Sequence, residues 1–123
     1  MVNETKEMTK FMEVRWHARG GQGAVTAAKA LAEAAVTGGK YVQAFPEYGP
    51  ERMGAPIRAY NRLSNKAIYI HGPVTQPQYV VVLDPTLIGM VDITEGTTDS
   101  TIFIINTPRS PKEMREKLRL KGG

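Results

Sequence analysis

At 123 residues the sequence reads as one domain, large enough for a real core but small for an α/β sheet. It contains no cysteine, which excludes disulfides, nucleophilic thiols, thiolate zinc sites and cysteine-ligated iron–sulfur clusters; His17 and His71 alone are too few for an imidazole metal site. The net charge of +4 comes from Arg109 to Lys121, where six basic and two acidic residues lie together, so it marks a solvated basic helix rather than a nucleic-acid platform.

No apolar run approaches the roughly 18–20 residues of a membrane helix. Residues 1–10, polar and mixed in charge, read as a flexible leader without the apolar stretch of a signal peptide, and a cytoplasmic location is expected. From Phe11, Met12, Val14 and Trp16 alternate with Glu13, Arg15 and His17, the period of a strand with one buried face. The strand stops at Arg19-Gly20-Gly21-Gln22-Gly23. An alanine-rich helix is expected from Gly23 to Thr37, halted by Gly38-Gly39, and a second strand over Tyr41–Phe45. Strand, glycine turn, helix and strand in this order predict a parallel crossover unit.

Pro46 to Pro56 forms a loop punctuated by proline and glycine, long enough to suggest a function. Ile57 to Leu63 alternates again, with Arg58, Tyr60 and Arg62 on a face that meets either a partner or water. Ser64-Asn65-Lys66 turns the chain, and Ala67–Ile70 is expected to return as a hairpin. Tyr79–Leu83 is an unbroken apolar run suited to a central parallel strand, closed by Asp84-Pro85. A short helix is expected near Thr86–Val91 and a last strand over Thr101–Ile105. Ser110-Pro111-Lys112-Glu113 opens a capped helix that carries Met114 and Leu118. The fold class that emerges is α/β: a Rossmann-like open, mostly parallel sheet with helices on both faces and a hairpin insertion, over residues 11–123.

In such sheets ligands gather beyond the carboxyl ends of the strands. There the segment Arg19, Gly20, Gly21, Gln22, Gly23 has two readings. One is an anion cradle, with backbone N–H groups and a helix N-terminus facing a phosphate; the other is a tight turn that only permits close packing. The spacing lacks both the full dinucleotide fingerprint and a P-loop lysine. Tyr48, Glu51, Arg52 and Arg58 are candidates for a partner-facing surface, against the alternative of solvated charge. Asp84 either binds a ribose or caps the turn that follows. No nucleophile–base pair or carboxylate pair stands out, so no catalytic residue and no metal ligand is assigned.

Three segments carry a resemblance. Glu13 to Ala28 (EVRWHARGGQGAVTAA), Gly39 to Ala59 (GKYVQAFPEYGPERMGAPIRA) and Val80 to Pro85 (VVVLDP) resemble the gamma subunit of pyruvate:ferredoxin oxidoreductase, of the 2-oxoacid:ferredoxin oxidoreductase family. The likeness runs from Met12 to Leu118. It implies an accessory subunit of a complex that converts a 2-oxoacid, coenzyme A and oxidised ferredoxin to acyl-CoA, CO2 and reduced ferredoxin. Thiamine diphosphate and iron–sulfur clusters are then carried by other subunits, this chain binds no cofactor alone, and ferredoxin is met only indirectly. Arg19 to Gly23 would contact an anion such as coenzyme A, and Tyr48 to Gly54 would face neighbouring subunits. Pyruvate is the favoured 2-oxoacid, with branched-chain 2-oxoacids as the alternative. A stand-alone nucleotide- or CoA-binding module is the competing function. Ala18 stands where the family usually has glycine. The sequence also lacks the C-terminal part typical of the family, which predicts bare sheet edges and apolar surface, with self-association of the isolated chain.

Overall fold

The computed structural model describes residues 11–47 and 54–120. Five strands form one open sheet in the order β2-β3-β1-β4-β5. They are β1 (Met12–Arg19), β2 (Tyr41–Pro46), β3 (Pro56–Ser64), β4 (Tyr79–Val82) and β5 (Ile102–Ile105). Helix α1 (Ala24–Thr37) covers one face and α2 (Pro111–Leu118) the other, as expected for an α/β sheet.

The pairing is mixed. β1–β4 and β4–β5 are parallel, whereas β1–β3 and β2–β3 are antiparallel. β2 runs in the direction of β1, as the crossover unit requires, but the nine-residue β3 lies between them and pairs with both. The hairpin pair is therefore β2–β3. The expected return strand over Ala67–Ile70 does not form, because both edges of β3 are already occupied. Those residues instead pass beside β2, where Gln43 Nε2 donates to the Ile70 carbonyl (2.9 Å). The helix expected near Thr86–Val91 is a single 3-10 turn, Pro85–Leu87.

The two faces are built differently. On the α1 side, Ala18, Ala24, Ala28 and Ala59 are buried against Trp16, Val25, Ile57 and Leu83. Small side chains on both layers bring helix and sheet close together, and Asn61 bridges them, accepting from Trp16 Nε1 (2.8 Å) and donating to the Ala28 carbonyl (2.9 Å). Ala18 lies in regular strand opposite Ile57, so its methyl is accommodated without strain. On the other face Val80, Val82 and Ile93 are buried with Phe103, Ile105 and Leu118, under α2 and the segment around Ile88 and Val91. Ser110 caps α2 as expected, its side chain accepting from the Glu113 N–H.

Candidate functional site

The parallel strands β1, β4 and β5 end at one edge of the sheet, where the glycine turn meets Asp84 and where Asn106 donates to the Leu83 carbonyl (3.1 Å). β1 ends at Arg19, and α1 begins at Ala24 after a left-handed Gly23 (φ 86°). A side chain at Gly23 would meet no neighbour within 4 Å, so glycine is required there by the backbone conformation, not by crowding. Among the described residues no side chain caps α1, and its first turn carries no acidic residue. The start of the helix thus keeps donor groups and a positive dipole end without a built-in partner.

Arg19 is committed elsewhere. Its guanidinium donates to Asp84 Oδ2 (3.1 Å), Thr86 Oγ1 (3.1 Å), the Gly54 carbonyl (3.0 Å) and Met90 Sδ (3.1 Å). Gln22 closes the same network, accepting from the Arg19 N–H (2.7 Å) and donating to Asp84 Oδ2 (2.8 Å). Of the two roles expected of Asp84 the structure shows the cap, through the Thr86 N–H (2.9 Å), and Asp84 also holds the two side chains of the glycine turn. The Thr86 hydroxyl and N–H, then Gln22 and the Arg19 charge, hold the Asp84 carboxyl down at about 2. Backbone bonds from Gly20 N to Ala55 O (2.8 Å) and from Gly54 N to Gly20 O (3.2 Å) tie the far end of the loop to the turn.

The structure thus gathers Arg19, Gly20, Gly21, Gln22 and Gly23 at one place, whereas Arg58 lies apart, on the sheet face away from α1. There Arg58 pairs with Glu47 (3.6 Å) and Glu95 (3.4 Å). Tyr48, Glu51 and Arg52 fall outside the described residues. Arg62 faces neither water nor a partner; it is 2% exposed and bonds Glu13 (2.7 Å), Gln43 and the carbonyls of Gly72 and Pro73.

Sequence reasoning missed a buried polar pair beside it. Arg15 and His17 are each 1% exposed, and Arg15 Nε donates to His17 Nε2 (2.9 Å) while Nη2 reaches the Ile93 carbonyl (3.0 Å). Burial, then the Arg15 and Arg58 charges, push the imidazole down to about 3, so it stays neutral and acts as an acceptor. The one available signal was the alternation that placed both residues on one face of β1. An apolar cavity of about 620 Å³ opens beside β2, lined by Phe45, Pro46, Glu47, Tyr60, His71 and Pro73 among others. Among the described residues no cluster of three His, Cys, Asp or Glu side chains is placed to hold a metal ion.

Residues 13–122 match the sequence profile of the pyruvate ferredoxin/flavodoxin oxidoreductase family. The chain belongs to this family. It is 56% identical over 111 residues to the pyruvate/ketoisovalerate oxidoreductases common subunit gamma of Pyrococcus furiosus, covering 90% of this chain and 60% of that one. The crystal structure of pyruvate oxidoreductase subunit PORC from Thermotoga maritima superposes with a TM-score of 0.78 at 45% identity, over 93% of this chain and 60% of that chain. A 2-oxoglutarate:ferredoxin oxidoreductase from Magnetococcus marinus shares the fold, at a TM-score of 0.66 and 18% identity, over 84% of this chain and 17% of that one. The chain thus spans about 60% of the length of the gamma-type relatives it matches. Among the described residues no helix is long and apolar enough to cross a membrane.

Proposed function

We propose that residues 11–123 form one gamma-type unit serving as the accessory subunit of a cytoplasmic 2-oxoacid:ferredoxin oxidoreductase. That complex converts a 2-oxoacid, coenzyme A and oxidised ferredoxin to acyl-CoA, CO2 and reduced ferredoxin, with pyruvate the favoured 2-oxoacid. The observation that carries the reading is the family match along residues 13–122, joined to the superposition on the Thermotoga PORC subunit. The donor set of this chain agrees with an accessory role. Without cysteine it offers no thiolate to an iron–sulfur cluster. In this reading thiamine diphosphate and the iron–sulfur clusters are carried by partner subunits, and the redox chemistry happens there.

What this chain contributes is the glycine turn. A phosphate of coenzyme A at Arg19–Gly23 would be met by the backbone donors at the uncapped start of α1. Arg19 shapes the turn and is not free to reach out, since Asp84, Thr86 and the Gly54 carbonyl hold its guanidinium. Asp84 does not repel the anion, because its charge is matched by Arg19. Tyr48, Glu51, Arg52 and Arg58 are read as the part of the chain that meets the neighbouring subunits. The test is capture of the chain from its own cell extract under native conditions, with mass identification of what co-purifies. Recovery of thiamine-diphosphate and iron–sulfur subunits is expected. A chain recovered alone that binds coenzyme A saturably would instead make it a stand-alone binding module.

A further inference from the structure

The Arg19 guanidinium bonds oxygen at Asp84, Thr86 and Gly54 but sulfur at Met90, where Nη2 donates to Sδ at 3.1 Å. The fold sets that sulfur in place. Leu87 is fully buried, its carbonyl accepts from the Met90 N–H (2.9 Å) and the Val91 N–H (3.0 Å), and Gly89 turns the chain in the left-handed region (φ 93°). Met90 is nevertheless 61% exposed, so small solutes reach the side of the sulfur that Arg19 leaves open. Met114 is only 5% exposed, and Met12, at 50%, opens β1 at the end opposite Arg19. Met1, Met8 and Met53 lie outside the described residues. Among the described residues, Met90 is thus the exposed thioether that bears on the glycine turn.

We propose that Met90 is an oxidative modification site: hydrogen peroxide converts its thioether to the sulfoxide, and the planar Arg19 fork carries the change to the Gly54 end of the loop. Nη2 occupies one side of the sulfur, so the solvent-facing lone pair attacks a peroxide oxygen. An S–O bond forms, the O–O bond breaks, and the second oxygen leaves as water with both peroxide protons. Sulfur gives up two electrons and the peroxide takes them; a thiol-dependent sulfoxide reductase reverses the step. A thioether is a weak acceptor, whereas the sulfoxide is polar, with its oxygen negative and its sulfur positive. A positive sulfur is repelled by the guanidinium it now touches. The unbranched side chain of Met90 rotates easily, and its new oxygen takes Nη2 from Thr86 Oγ1. The Nε bond to the Asp84 carboxylate, charge-assisted on both sides, stays and becomes the pivot. Because the guanidinium is flat and rigid, moving Nη2 also moves Nη1, which holds the Gly54 carbonyl at 3.0 Å. The Gly54 N–H, bonded to the Gly20 carbonyl (3.2 Å), then registers the change inside the glycine turn.

The experiment treats the full 123-residue chain with hydrogen peroxide, locates added oxygen by peptide mass analysis and follows the Arg19 side-chain and Gly54 amide resonances. Met90 should gain one oxygen at least ten-fold faster than the buried Met114, with both resonances shifting in proportion to Met90 sulfoxide. Met90→Leu should show neither shift under the same treatment, and sulfoxide reductase should restore the original positions in the unsubstituted chain. Should Met90→Leu fail to fold, the proportionality to Met90 rather than Met12 sulfoxide in the unsubstituted chain decides. Met90 sulfoxide that leaves Arg19 and Gly54 unmoved would overturn the proposal. So would the same shifts in Met90→Leu, or oxidation of Met12 while Met90 stays reduced. A consequence for coenzyme A rests on the anion site proposed above: calorimetry should show at least three-fold weaker binding after oxidation. A reduced chain that does not bind coenzyme A tells against that anion site, and the resonance shifts still decide on Met90.

Discussion

Replacing Arg62 by methionine separates a structural role from an interface role at a residue that looks, in sequence, suited to either. Methionine keeps an apolar stem over Phe45, whose ring lies 5.7 Å beneath the guanidinium, and removes the charge. Left behind are the Glu13 carboxylate, whose side chain is 15% exposed, the Gln43 amide oxygen and the carbonyls of Gly72 and Pro73. Breaking a buried ion pair from one side costs about 3–5 kcal/mol, because the remaining charge stays desolvated without a partner. Against a total stability of roughly 5–15 kcal/mol, the variant should sit close to unfolding at room temperature. Urea unfolding at neutral pH, followed by circular dichroism, measures the loss. The double variant Glu13→Gln/Arg62→Met leaves no orphaned charge and should lose less than the single one. A single-variant loss below about 1 kcal/mol, the range of an exposed pair, would refute the reasoning. So would a double variant no more stable than the single.

His17 should make the fold acid-sensitive. Its folded value of about 3 lies below the ordinary 6.5, so the unfolded chain binds a proton that the folded chain refuses between those limits. Stability contributed this way is full above pH 6.5 and falls by about 1.4 kcal/mol per unit as the pH drops toward 3. His17→Gln, which can still accept from Arg15, should show a shallower slope in urea midpoints between pH 7 and 4. Asp84 acts lower: with its carboxyl held at about 2 against an ordinary 3.8, its stabilisation persists above pH 3.8 and disappears as the pH falls through 2. Asp84→Asn should flatten the stability profile in that window and, where coenzyme A binds the chain, weaken that binding by loosening the turn, as calorimetry would register. Ala28→Leu should cost about 1–3 kcal/mol by overpacking the close contact between α1 and Ala18 and Ala59, read as a lowered melting temperature.

The alternation along β1 was legible, but its meaning was only half so. Met12, Val14 and Trp16 against Glu13, Arg15 and His17 suggests one buried and one wet face, yet Val14 is 7% exposed and Arg15 and His17 each 1%. The second cover comes from Ile93 and its neighbours, nearly 80 positions away from Arg15, and nothing local to β1 announces it. Strand neighbours were not legible for a related reason. Period-two patterns place residues on faces but do not say which strand lies beside which, and β3 alternates well enough to serve both β1 and β2. The turn chemistry at Ser64-Asn65-Lys66 is real; the side chain of Ser64 accepts from the Lys66 N–H (3.0 Å). A turn makes a hairpin only where an open edge awaits the returning strand, and β3 has none.

The glycine turn shows the same divide between what is local and what is not. Its position at the edge and its left-handed glycines follow from three glycines in four residues after a strand. The fate of the Arg19 charge does not, because the carboxylate that takes it is 65 positions away on β4's outgoing end. This matters for what the turn can recognise. With Arg19 and Asp84 paired, the side chains there are close to neutral, so attraction for an anion rests on the N–H groups and dipole of α1. Backbone donors at a helix start suit a phosphate or another oxyanion. They also depend on the turn being held still. If the turn binds an anion as proposed, Gln22 and Asp84, rather than Arg19 acting alone, hold its donors in place, and both act by touching only the protein.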